Sequence, residues 1–210
     1  PWLKPLRKTR AWALPGRSLV LYDCASGLVT QSVLWEDAYA QERALLPDLE
    51  IPSGAHLIAD RNFCVYWFLQ HIQQSGSHFT IRHHQQFALP QDATERRIGR
   101  CDTGMVYERS WEVTEEGQAS IWRAIRVELD EPTRDGAHEI TLVTNLPAAV
   151  NARAVAAAYR QRWTIEGHFQ RLTEHLHCEI PSLSQPRAAL FAFAVSLVAG
   201  NLLAVVIAAL

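Results

Sequence analysis

The feature that most constrains the fold of this chain is a strand, helix, strand pattern. His56–Ala59 is a short apolar, β-prone run, residues 63–74 have helical character, and residues 79–82 form a second β-prone run after a turn of Ser and Gly. Strands that alternate with helices are typical of an α/β sheet, in which functional side chains collect beyond the carboxyl ends of the strands. Asp60 directly follows the first of these strands, so we expect it at that edge.

Two more β-prone runs, residues 18–22 and 28–34, flank a turn-rich connection and predict an antiparallel hairpin. Asp37 has the side chain of a helix N-cap. A helix is therefore expected from there to about Leu46, where Pro47 would end it.

Residues 83–139 have a different character. Within them, residues 106–113 and 120–129 alternate apolar and polar side chains around a polar turn, which indicates strands. We expect this segment to be a β-rich insertion whose strands lie outside the sheet that carries Asp60.

A polar stripe is the main functional signal near the carboxyl end. At about 100° per residue on one helix, Tyr159, Arg162 and Glu166 fall on one side, next to an apolar face that should pack into a core. His168 and His175 project from the opposite side and are expected to be solvated. The stripe combines a hydroxyl, a guanidinium and a carboxylate, which could hold a phosphate and a metal ion together.

The spacing of Tyr159, Arg162 and Glu166 resembles the Tyr-Arg-Glu-Lys signature of DDE transposases of the bacterial insertion-sequence-4 group. Thr173 stands where that signature has its lysine. The stretch Ala59-Asp60-Arg61-Asn62-Phe63 is similar to the element that carries the second catalytic aspartate of the group. Both motifs occur in the right order, and the resemblance covers nearly the whole chain.

The resemblance implies a ribonuclease H-like α/β fold, a mixed sheet with flanking helices. Its core would be residues 1–82 and 140–210, interrupted by the β-rich insertion 83–139. It implies that Asp60 and Glu166 are catalytic and bind two Mg²⁺ or Mn²⁺ ions, for which carboxylate oxygens are suitable ligands. Tyr159 and Arg162 would bind DNA phosphates. The expected activity is DNA cleavage and strand transfer at insertion-sequence ends.

The third carboxylate of the group, its first aspartate, is expected upstream of this chain. Asp23 lies in the predicted hairpin turn and is not expected to replace it. We therefore expect the chain by itself to be inactive. A catalytically dead transposase remnant that only binds DNA remains an alternative.

Charge and composition add few constraints. A formal net charge of −2 gives no global sign of DNA binding, so a DNA enzyme would depend on local basic clusters. Three such clusters occur, at residues 4–17, 96–100 and 153–171. The four cysteines have no close pair, and the histidine spacings match no zinc pattern. The cysteines favour a cytoplasmic protein with reduced thiols. The resemblance implies a bacterial, nucleoid-associated enzyme, with a homodimer as an expectation for the full-length protein.

Residues 188–210 form an uncharged apolar run that is long enough to span a bilayer. A membrane-anchored protein is therefore the alternative from a different class. Alanines together with Gly200 and Asn201 dilute the apolar character, and no basic residues or aromatic belt bracket both ends. We expect a core helix that packs against the sheet or against the Glu166 helix.

Overall fold

The computed structural model describes residues 16–115, 117–133, 136–176 and 185–209. The chain forms two compact units: Pro1–Glu50 with Trp163–Leu210, called the hairpin unit, and Ile51–Arg162, called the sheet unit. The strands are β1 (Arg17–Asp23), β2 (Leu28–Trp35), β3 (His56–Ala59), β4 (His78–Arg82), β5 (Arg96–Cys101), β6 (Gly104–Glu115), β7 (Gln118–Leu129) and β8 (Glu139–Thr144). The α-helices are α1 (Tyr66–Gln74), α2 (Ala152–Arg160), α3 (Trp163–Leu176) and α4 (Pro186–Ala208).

The sheet unit contains a six-stranded mixed sheet in the order β3-β4-β8-β7-β6-β5. The first two strands are parallel and are joined through α1, as the strand, helix, strand pattern predicted. All other neighbours are antiparallel. A mixed α/β sheet with flanking helices agrees with the expected fold class.

The strands of residues 83–139 do not lie outside this sheet, so that expectation is wrong. β7 pairs along β8 from Arg123 opposite Thr144 to Glu128 opposite Glu139, and β6 and β5 follow in order. The pairing has a simple physical reason. Without β7, the backbone N–H and C=O groups on one edge of β8 would lack partners.

Helices cover both faces of the sheet. On one face, Val155 and Tyr159 of α2 pack with residues of β7 and β8 such as Val127 and Leu142. On the other face, α1 lies near Trp122, whose indole Nε1 donates to the Gln73 Oε1 at 2.7 Å. Successive side chains of a strand point to opposite faces of the sheet, so neighbouring residues on one strand face different helices.

In the hairpin unit, β1 and β2 form the predicted antiparallel hairpin. Asp23 closes its turn by accepting hydrogen bonds from the backbone N–H groups of Ala25 and Ser26, at 3.0 and 3.2 Å. The side-chain amide of Asn201 on α4 clasps the backbone of Val29 on β2, with one bond to its N–H and one to its carbonyl oxygen, both 2.8 Å.

Two helix predictions need correction. The helix expected from Asp37 is absent: Asp37 caps a turn through the Tyr39 N–H, and a 3₁₀ helix, Glu42–Asp48, follows with Pro47 inside it. This short element buries two leucines that are adjacent in the sequence. A short 3₁₀ helix is enough to bury them, so an α-helix with a full apolar stripe is not required. The helix expected at 63–74 starts later, at Tyr66, because a separate 3₁₀ turn, Arg61–Phe63, follows Asp60.

The expectation that the final apolar segment packs as a helix is confirmed. Leu172 of α3 packs with Phe193 and Leu197 of α4, and partly buried side chains of the hairpin such as Val29 contact this cluster. Only one face of α4 is covered, because large side chains on its outer face, such as Phe191, are exposed. It is the one helix in the described part of the chain that is long and apolar enough to cross a membrane, by length and composition.

Candidate active site

Asp60 follows the last residue of β3, at the carboxyl edge of the sheet, as predicted. Its backbone is extended, and its carboxylate Oδ1 accepts a hydrogen bond from the Arg61 N–H at 2.6 Å. Ile58, two residues earlier, packs in the core cluster under α2. Because side chains alternate along an extended chain, Asp60 lies on the α2 face of the sheet.

Arg82 lies at the same edge and was missed by the sequence reasoning. Ala59 pairs with Ile81 in the parallel ladder, so Asp60 and Arg82 are the next residues of two adjacent strands. Neighbouring strands lie about 4.8 Å apart. The rule that identified Asp60, namely residues at strand ends, would also have identified Arg82 had it been applied to β4.

Tyr159 interacts electrostatically with both Asp60 and Arg82. It lies on the core face of α2 and is almost completely buried. Burial raises the pKa of its phenol, and the Asp60 carboxylate acts in the same direction, while the Arg162 and Arg82 guanidiniums oppose them. Tyr159 is therefore a neutral hydrogen-bond donor near pH 7, in electrostatic contact with one carboxylate and two guanidiniums.

Arg162 completes this group. Its guanidinium Cζ is 6.0 Å from the centroid of the Tyr159 ring, and the two side chains are hydrogen-bonded. The structure thus brings together three of the four predicted site residues: Asp60, Tyr159 and Arg162.

The predicted single helical stripe through these residues is wrong, because the helix is interrupted. α2 ends at Arg160, and the N–H groups of Gln161 and Arg162 bond back three residues instead of four, at 3.0 Å each. α3 then begins at Trp163. The angle of 100° per residue consequently does not carry through from Tyr159 to Glu166.

Glu166 belongs to the hairpin unit, where it is exposed in the first turn of α3. Its predicted partnership with Asp60 in metal binding stays a prediction. Thr173 is exposed two turns further along the same helix.

The expectation that His168 is solvated is wrong. Its ring is buried and lies 4.9 Å from the ring of Tyr22 on β1, because the hairpin covers that side of α3. Burial lowers the pKa of His168, and the positive charge of Arg171 contributes in the same direction. The side chain of His175 lies outside the described residues.

The metal-binding expectation can be compared with the available ligands. Asp60 offers the carboxylate oxygens that Mg²⁺ prefers and fits as one ligand. No group of three or more His, Cys, Asp or Glu side chains gathers in the described part of the chain. The described residues therefore do not complete a two-metal site by themselves. The Arg82 and Arg162 guanidiniums, which both interact with Tyr159, are better suited to a phosphate.

A buried arginine holds the loop that leads into α2. Arg123 on β7 donates from Nε to the Glu108 Oε1 at 2.6 Å, and its Nη atoms donate to three carbonyl oxygens. These belong to Leu146, Pro147 and Val150, at 3.1, 3.0 and 2.9 Å. The loop positions Asn151, whose side chain caps α2, and hence the helix that carries Tyr159.

Residues 14–202 match the family model described as Transposase DDE domain. Because the match covers most of the chain, the protein belongs to this family of transposase domains. A comparison with curated proteins found no match.

Proposed function

We propose that this chain is the catalytic region of a DNA transposase of the insertion-sequence-4 type. It would cleave phosphodiester bonds at insertion-sequence ends and transfer the freed strand to target DNA. The observation that supports this best is the cluster of Asp60, Tyr159, Arg162 and Arg82 in a chain that matches the transposase family. A carboxylate and two guanidiniums that all interact with one phenol can together bind a metal ion and a DNA phosphate.

In this proposal, Asp60 and Glu166 hold the divalent ions, Mg²⁺ or Mn²⁺. Bound metal would supply charge stabilisation at the scissile phosphate and an activated oxygen nucleophile. Arg162 and Arg82 orient the phosphate through guanidinium hydrogen bonds, and the protonated Tyr159 hydroxyl is positioned to donate another. Tyr159 also orients Arg162, because the two side chains are hydrogen-bonded.

We further propose that residues 1–82 and 140–210 form the ribonuclease H-like core. Residues 83–139 would interrupt this core in the sequence, and their strands would extend its sheet. The partners would be transposon-end DNA and target DNA, with a homodimer as the working form and the cytoplasm as its location.

The test is metal-dependent nicking of DNA that carries the ends of the element. This chain and a form extended at its amino end are compared, and we expect activity only from the extended form. Glu166→Gln and Asp60→Asn should each abolish nicking in Mg²⁺. Glu174→Gln is a matched control, because Glu174 is another exposed carboxylate on α3.

Tyr159→Phe keeps the buried ring and removes only the hydroxyl, so it should reduce nicking without unfolding the chain. Nicking that survives both Glu166→Gln and Asp60→Asn would refute the proposed mechanism. Metal-independent DNA binding without nicking, in the extended form as well, would favour a remnant that only binds DNA.

A further inference from the structure

A depression of 420 Å³ lies in the sheet unit between α2 and the turn that joins β5 to β6. Three arginines line it: Arg100 from β5, and Arg153 and Arg160 from α2. They come from two basic clusters that are far apart in the sequence and meet only in the fold. We call this depression the arginine groove. Its floor along α2 is made of alanines, which leave room for a ligand between the guanidiniums.

The two arginines of α2 have a regular spacing. They are seven residues apart, so they lie on the same face after about two turns and about 10 Å apart along the helix axis. Phosphates of one DNA strand recur about every 3.4 Å along the duplex axis. Two arginines this far apart on one helix face can therefore contact two different phosphates of the duplex backbone.

The arginines are accessible to an anion. Arg160 pairs with Asp102 at 3.3 Å, but both side chains are more than half exposed, so the pair is weak. Arg100 pairs with Asp130, which is also partly exposed. The guanidinium of Arg153 has no hydrogen bond or ion pair to another residue in the described part of the chain.

The local charge opposes the charge of the whole molecule. Three arginines face two aspartates here, an excess of one positive charge, whereas the chain carries a net charge of −2. Arginine is also the residue best suited to phosphate, since its planar guanidinium can donate two parallel hydrogen bonds. A phosphate could displace Asp102 from Arg160 without uncovering a buried charge.

We propose that the arginine groove binds the sugar-phosphate backbone of duplex DNA, at phosphates other than the one held beside Asp60. This inference rests on the proposed function, which supplies DNA as the partner. α2 would then have two roles: Tyr159 lies in the core beside Asp60, and the adjacent Arg160 lines the groove. One helix would position the DNA and contribute to the reaction centre.

The experiment measures binding of a random-sequence 30-base-pair duplex by fluorescence anisotropy, without divalent metal, across a range of salt concentration. Arg153→Gln, Arg160→Gln and the double variant are compared with the unchanged chain. Each lost phosphate contact should reduce the slope of log affinity against log salt by about 0.9. The double variant should therefore lose about 1.8 from the slope. Arg43→Gln is the control, because it removes one exposed arginine of the hairpin unit.

Groove variants with the slope and affinity of the unchanged chain, or of Arg43→Gln, would overturn the inference. So would failure of the unchanged chain to bind the duplex. The two proposals fail separately. If the groove variants keep the salt slope of the unchanged chain and nicking depends on Glu166, only the inference about the arginine groove is wrong. If the variants reduce the slope and nicking persists without Asp60 and Glu166, only the proposed mechanism is wrong.

Discussion

Replacing Arg123 with methionine should destabilise the sheet unit more than any other single change of charge there. The side chain is 2% exposed and makes four hydrogen bonds, one to the Glu108 carboxylate and three to carbonyl oxygens of the loop before α2. Methionine fills much of the same space but donates no hydrogen bond. The change would leave a mostly buried carboxylate and three carbonyl groups without this partner.

The magnitude follows from these contacts. Removing one partner of a buried ion pair costs about 3 to 5 kcal/mol, because the other charge stays buried. Glu108 retains one contact, with the exposed Arg96 at 3.2 Å, which favours the lower end of that range. With a denaturant slope of about 2 kcal/mol per molar urea, a loss of about 3 kcal/mol moves the unfolding midpoint down by roughly 1.5 M.

Urea unfolding followed by tryptophan fluorescence measures this midpoint. Arg126→Met is the control, since Arg126 lies on the same strand and pairs with Glu95, Glu128 and Glu139 from a side chain that is 22% exposed. That control should cost less than Arg123→Met, because its three partners are partly exposed and stay hydrated when the guanidinium is lost. The double variant Arg123→Met with Glu108→Leu should recover part of the loss, because it removes the stranded carboxylate. If Arg123→Met and Arg126→Met shift the midpoint equally, the reasoning from burial is wrong.

Two further predictions concern the hairpin unit. Gly200→Val should lower the stability of this unit by about 1 to 3 kcal/mol in urea unfolding, since a Cβ at Gly200 would lie 2.6 Å from the Leu172 side chain. Gly167→Ala is the control and should be neutral or stabilising, because the atom nearest to its Cβ is 3.8 Å away. The folded pKa of His168 lies below its unfolded value of 6.5, so the unfolded state binds more protons, and stability should fall as pH drops below about 6.5. Unfolding midpoints at pH 5 and pH 7.5 measure this, and a pH dependence that is identical in His168→Gln would contradict it.

Local patterns predicted the elements that are close in sequence. The hairpin, the β3, α1 and β4 unit and the position of Asp60 depend on turn residues and on the periodicity of short segments. The partner of β7 could not be predicted in this way. A period of two indicates a strand with two different faces, but it does not identify the strand with which it pairs.

The candidate site shows the same limit. The spacing of Tyr159, Arg162 and Glu166 suits one helix, and residues 161–162 contain neither Gly nor Pro to signal the break. The burial of His168 depends on packing by Tyr22 of the hairpin, which is more than 140 residues earlier in the sequence, and helical angles cannot show such a contact. Arg82 is the exception, because the strand-end rule was sufficient to find it.

The clasp between Asn201 and Val29 has a consequence for the order in which the protein can assemble. The hairpin is among the first described segments to leave the ribosome, yet its clasping side chain follows 172 residues later. A two-stranded hairpin alone is marginally stable in water. During synthesis, the apolar side chains of β1 and β2 therefore stay uncovered until α4 has been made. Closing so long a loop makes their burial a slow, late step in folding.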